Sequence, residues 1–251
     1  TFYSVLLSTF VLGKKYLFCM NKNKPNIIII GGGAAGFFAA INYAEANPDA
    51  RVIILERGKD VLNKVRISGG GRCNLTHACF DARTLTGYYP RGNKALLGPF
   101  NRFACSDTIA WFEARGVATK TEADGRMFPL SNTSQSIIDC LQKAAQKAGI
   151  KIYGQQNVIG IVAPTQERPQ FTLNIKHGKT LYADKLLVAS GSNARVWDML
   201  AVLGHTIVPP VASLFTFNTK DTRLRNLAGI SVPNALVSIK NSKLKETGPL
   251  L

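Results

Sequence analysis

The sequence predicts an α/β protein: a Rossmann-like domain with a parallel sheet, followed by the start of a β-rich domain. Three observations carry this. Residues 27–30 are four consecutive isoleucines, and an all-apolar, β-branched run marks a parallel strand buried on both faces. A glycine turn, Gly31-Gly32-Gly33-Ala34-Ala35-Gly36, follows at once and leads into a segment rich in Ala and Phe, and a second apolar run lies at 51–56. Strand, turn, helix and strand within about 30 residues make a βαβ unit. Beyond Gly204 the helix signal ends and alternating segments take over.

The first residues stand apart from this pattern. Residues 1–12 are largely apolar and Lys14 and Lys15 come after them. A secretory signal carries its charge before the apolar stretch. Met20 reads as the natural start and 1–19 as an upstream extension, with a membrane-surface anchor as the other reading. No run reaches the length of a spanning helix. Residues 34–46 then read as the helix of the βαβ unit.

Residues 59–102 read as mostly loop with short helices. They hold eight basic residues against Asp60 and Asp81. Ser106 is placed to cap a helix running to about Arg115, and Ser134 one running to Ala148 with apolar residues at helical spacing; Gly116 and Gly149 end them. Short strands are expected near 151–153, 157–163, 171–175 and 180–183, a buried strand at 186–190, and a helix at 193–203. After a boundary near 206, residues 213–218 and 235–240 alternate like antiparallel strands. The expected division is thus 1–19, 20–205 and an incomplete β-rich domain, 206–251, that stops while approaching another strand.

The glycine turn satisfies G-x-G-x-x-G, and Glu56 lies 20 residues after Gly36 at the end of the second strand. In that context the motif is a dinucleotide fingerprint. Gly31 permits the turn, Gly33 lets the backbone approach a pyrophosphate, and Gly36 lets helix and strand pack closely. The helix start, with Ala34 and Ala35, offers free N–H groups to phosphates. Glu56 is expected to accept from ribose hydroxyls and to repel a 2′-phosphate, which favours FAD or NAD over NADP here.

A second cluster is Lys64-Val65-Arg66-Ile67-Ser68-Gly69-Gly70-Gly71-Arg72-Cys73-Asn74-Leu75-Thr76. Successive glycines can expose their N–H groups as an anion nest, Arg72 adds charge, and Asn74 and Thr76 add hydrogen-bonding groups. Downstream of a dinucleotide turn this reads as a phosphate- or flavin-facing loop.

Together with Gly125-Arg126-Met127-Phe128-Pro129 and Leu203-Gly204-His205 before Pro209-Pro210, these motifs resemble the BaiN-like family of bacterial flavoproteins, also described as aminoacetone oxidases or NAD(P)/FAD-dependent oxidoreductases. The Ser-Gly-Gly-Gly-Arg-Cys-Asn segment carries most of the specificity. The resemblance implies an FAD-binding domain interrupted by a β-rich domain, with a return segment beyond residue 251. It also implies cofactor roles for Gly31, Gly33, Gly36 and Glu56, with Arg57 adjoining. Val158 matches a strand position whose backbone meets the adenine. Ala189, Ser190 and Gly191 stand at a second approach to FAD, after which the chain departs from the family pattern.

The charge of +16, from 31 Lys and Arg against 15 acids, favours an anionic cofactor or a polyanionic partner. No nucleic-acid-binding motif accompanies it, so no nucleic-acid partner is expected. Five cysteines without a C-x-x-C pair, and three scattered histidines, fit a reducing cytoplasm better than a disulfide framework or a metal site. Cys73 beside Arg72 reads either as a low-pKa thiolate or as a small packed residue, the latter preferred; His205 reads as structural, and Trp111 and Phe112 as core. No pair of side chains reads as a required acid and base. The expected function is an FAD-dependent oxidoreductase acting on a small molecule, with NAD(P)H as an electron donor. An NAD-dependent dehydrogenase and a basic nucleic-acid-binding module are the alternatives.

Overall fold

The computed structural model describes residues 24–211, 220–224 and 232–250. The expected extension at 1–19 and the expected strand at 213–218 lie outside these. The chain divides into two compact units, one ending at Ile207 and one running from Val208 to Leu251.

In the first unit β1 (Asn26–Ile30), α1 (Ala34–Ala46) and β2 (Arg51–Leu55) form the βαβ motif. Next come α2 (Asn63–Ile67), a 3₁₀ turn (Ser68–Gly71), β3 (Thr76–His77), α3 (Ala82–Thr86), α4 (Asn93–Phe100) and α5 (Cys105–Glu113). They are followed by β4 (Thr119–Thr121), β5 (Arg126–Pro129), α6 (Ser134–Lys147), β6 (Lys151–Tyr153) and β7 (Val158–Val162). The unit ends with β8 (Phe171–Ile175), β9 (Lys179–Ala183), β10 (Lys185–Val188) and α7 (Ala194–Val202).

The central sheet is parallel, in the order β10-β1-β2-β6. Side chains alternate across it. Ile27, Ile29, Val52 and Ile54 enter a core with Phe37 and Ile41 of α1 and Ile137, Ile138 and Leu141 of α6. Ile28, Ile30, Ile53 and Leu55 face Val158, Ile161, Leu173 and Ile175 of the antiparallel sheet β7-β8-β9. Both faces of β1 and β2 are therefore covered, which is why their sequences are apolar throughout; each such side chain contributes about 1.5–3 kcal/mol. Strand β10 is at the edge, and Leu186, Leu187 and Val188 are only half-buried, so the expectation of a buried strand there is corrected.

Two helix caps differ from expectation. Helix α5 is capped at Ala104, not Ser106: the Ala104 N–H donates to Asp107 Oδ2 at 2.8 Å. The start moves because Cys105 is fully buried while Ser106 faces solvent. Helix α6 is capped by Thr133, whose hydroxyl accepts from the Gln135 N–H. Ser134 is buried and donates instead to the Arg66 carbonyl at 2.8 Å. Trp111 and Phe112 are core residues, as expected. The stretch 59–129 also holds a small antiparallel sheet, β3-β5-β4, which local periodicity does not announce because its strands have two to four residues.

Within the second unit, a 3₁₀ turn (Thr222–Leu224) precedes the antiparallel pair β11 (Val232–Ser238) and β12 (Lys245–Leu250), with a register shift between Val232 and Ala235. Gly248 thus lies inside a strand rather than on the approach to one. Among the described residues, no helix is long and apolar enough to cross a membrane.

Candidate dinucleotide site

Three loops meet at the carboxyl ends of β10, β1 and β2, where open parallel sheets bind ligands. The Gly31 N–H donates to Leu55 O, the Ala189 N–H to Ile30 O and the Leu62 N–H to Gly32 O, each at 2.8 Å. These bonds tie the glycine turn to the segments after β2 and β10.

The fingerprint glycines have different reasons to be glycine. Gly31 has φ +112°, and a Cβ there would overlap the Ala189 carbonyl. A Cβ on Gly36 would overlap the Gly31 carbonyl. Gly33 is extended, at φ −89° and ψ −174°, and a Cβ there meets nothing within 4 Å. Nothing in the fold demands a glycine at 33; the space before it is a cradle that a side chain would fill. Helix α1 begins there with no acidic residue in its first turn, so no side chain of its own competes for its leading N–H groups and partial positive charge.

Glu56 is half-buried just beyond β2. Its Oε2 accepts from the Gly32 N–H at 2.8 Å and its Oε1 from the Gly58 N–H at 2.7 Å. Each carboxylate oxygen keeps a lone pair for a further donor. Arg57 is exposed. The segment after β6 closes on this turn, with the Gln156 N–H donating to Glu56 O and the Gln155 N–H to Gly58 O. Val158, at the start of β7, has its side chain in the core. Strand β7 is the edge of its sheet, which leaves a row of backbone groups outside the ladder.

The second cluster is an ordered turn. Gly69, Gly70 and Gly71 have φ of +56°, +66° and +83°, so three glycines in succession serve the backbone first. The Cys73 N–H donates to Ser68 O at 2.9 Å, and the Ser68 hydroxyl to Val65 O. A Cβ at Gly70 or Gly71 would meet nothing. Arg72 turns away from a nest: its guanidinium pairs with Glu122 and stacks on Phe128, 4.0 Å from the ring centroid. The Cys73 thiol is fully buried in the core, and that burial pushes its pKa up. The thiolate reading is therefore overturned in favour of the packed residue. The Asn74 amide oxygen is buried and lacks a hydrogen-bond partner. Ser190 and Gly191 follow Ala189 on the far side of the glycine turn, and the Ser192 hydroxyl lies 3.3 Å from Lys64 Nζ, a lysine at the start of the second cluster to which sequence reasoning gave no separate role. Among the described residues no group of His, Cys, Asp and Glu could hold a metal.

Parallel sheet, glycine turn and acid after the second strand define a Rossmann-like protein. The chain belongs to the family of the HI0933-like protein Rossmann domain, which matches residues 25–244; this bears out the family resemblance read from the Ser-Gly-Gly-Gly-Arg-Cys-Asn segment. It is similar to a 3-dehydro-bile acid delta(4,6)-reductase of Clostridium scindens, at 29% identity over 80% of this chain and 49% of that protein. It is also similar to a ribosomal RNA dihydrouridine synthase of Escherichia coli, at 26% identity over 87% of this chain and 55% of that protein. The chain spans about half the length of the curated relatives it matches. Among solved structures, Thermovibrio ammonificans THI4 is 14% identical over 72% of this chain and 63% of that one, with a TM-score of 0.49.

Proposed function

We propose that this chain carries the FAD-binding part of a flavin-dependent reductase, acting on a carbon–carbon double bond conjugated to a carbonyl. The observation that carries the cofactor assignment is the cradle at Gly33, a glycine with no demand from the fold, set between the α1 amino terminus and Glu56. The reaction class is supported by the two relatives named above, whose names both denote reduction of such a bond.

The residues fit the group. The cradle and the N–H groups of Ala34, Ala35 and Gly36 would hold a pyrophosphate; Glu56 would accept from the adenosine ribose; the β7 edge near Val158 would meet the adenine. The main chain of residues 69–74 and of Ala189, Ser190 and Gly191 lines the remaining approach, with the buried Asn74 oxygen as an acceptor in want of a donor. Bound there, the flavin supplies two-electron redox chemistry, with NAD(P)H as the source of electrons. The protein's part is to bind and orient it.

The purified chain, refolded with FAD and desalted, should retain the visible flavin absorption. A colourless sample that still binds NAD would replace this reading by the dehydrogenase alternative. Glu56→Ala should weaken FAD about tenfold to a hundredfold, the effect of losing a charged hydrogen bond. Because Glu56 also holds the Gly32 and Gly58 N–H groups, its melting temperature should fall as well. An unchanged Kd by titration would remove the ribose role.

One observation favours a second reading of the substrate, a uridine within RNA. The charge is +16, and Lys59, Arg66, Arg83, Lys94 and Arg102 are all exposed. Salt-dependent binding of ribosomal RNA would support it; without a nucleic-acid motif, the small molecule stays first.

A further inference from the structure

We propose that Lys64 closes over the glycine turn and supplies the cation for the dinucleotide's pyrophosphate. This rests on the dinucleotide reading above and deepens it.

The root of Lys64 is fixed. Helix α2 follows Leu62, which is 1% exposed, has φ +60° and donates its N–H to Gly32 O at 2.8 Å. Val65 is buried in the core, and the Arg66 carbonyl accepts from Ser134 of α6. From this root, on the β2 side of the sheet, the lysine reaches the loop after β10. Its Nζ lies 3.3 Å from Ser192 Oγ and 3.6 Å from the position of a Cβ on Gly191. The sheet order is β10-β1-β2. A side chain joining the segments beyond β2 and β10 therefore spans the end of β1, where the Gly33 cradle opens.

The charge there is unspent. Among the described residues Lys64 forms no ion pair; its contact is a neutral hydroxyl. Three other cations of this region are engaged elsewhere: Arg72 with Glu122, Arg126 with Asp124, and Arg66 with the Gln135 side chain. Arg57 follows Glu56 and is exposed. The α1 amino terminus offers N–H groups and a partial charge, but a pyrophosphate carries two negative charges. An ammonium opposite those N–H groups completes the match, as a point charge that tolerates either phosphate.

The test is a titration of the full chain with FAD and, separately, with ADP, for wild type, Lys64→Gln and Lys64→Arg, at low and high salt. Lys64→Gln should weaken both ligands about tenfold or more and flatten the salt dependence of binding. Lys64→Arg should restore most of the affinity. Melting temperatures of the ligand-free proteins should agree, because the side chain is exposed. Equal affinities in Lys64→Gln and wild type would overturn the proposal. So would a loss confined to FAD, since ADP carries the same pyrophosphate. If wild type binds neither ligand, it is the dinucleotide reading that fails.

Discussion

Gly33→Val is expected to abolish FAD binding and to leave the fold standing. The backbone at Gly33 is extended, a conformation every residue adopts, and a Cβ at this point touches no protein atom within 4 Å. The apoprotein should therefore melt within a degree or two of wild type. The valine methyls would occupy the space through which a pyrophosphate would reach the α1 N–H groups, and those charge-assisted bonds would not re-form at a distance. The measurement is flavin stoichiometry after desalting, alongside a thermal melt. A variant that keeps its flavin would falsify the assignment of the cradle.

Gly31→Ala has the opposite signature. At φ +112° a side chain strains the backbone by about 1–3 kcal/mol. Its Cβ would also overlap the Ala189 carbonyl, and overpacking of this kind costs about 1–3 kcal/mol more. The obstacle is backbone at the junction of β1 and β10, so no side-chain rotation relieves it. The expected loss, about 2–6 kcal/mol, is a large part of a typical domain's stability, and should lower the melting temperature by roughly 4–24 °C. A melt equal to wild type would mean that the approach of β10 to the glycine turn is looser than described. The two glycines, two residues apart in one motif, thus separate binding from folding.

Much of the central architecture was legible in the chain. Four isoleucines in a row cannot alternate, so they require cover on both faces, and the structure provides it with helices α1 and α6 on one side and β7-β8-β9 on the other. The helix caps were less legible: Ser106 and Ser134 have the right chemistry, yet the neighbouring Ala104 and Thr133 cap, because burial of Cys105 and Ser134 sets where each helix begins. The short sheet β3-β5-β4 was not legible, since two to four residues are too few to show a period.

What the sequence determined by itself was the βαβ unit, the glycine turn with its acid, and the family. These are local: neighbouring residues fix the strand, the turn and the helix start. What only the tertiary structure decided was the direction of each charged or polar group in the second cluster. Arg72 and Cys73 are adjacent in the chain, yet the guanidinium goes out to Glu122 and Phe128 while the thiol goes into the core. Lys64 and Ser192 are 128 positions apart and meet beyond the carboxyl end of the sheet. Spacing in a chain carries no information about which distant loop a side chain will reach. Only strand order β10-β1-β2, set by burial of the isoleucine strand between two partners, brings them together.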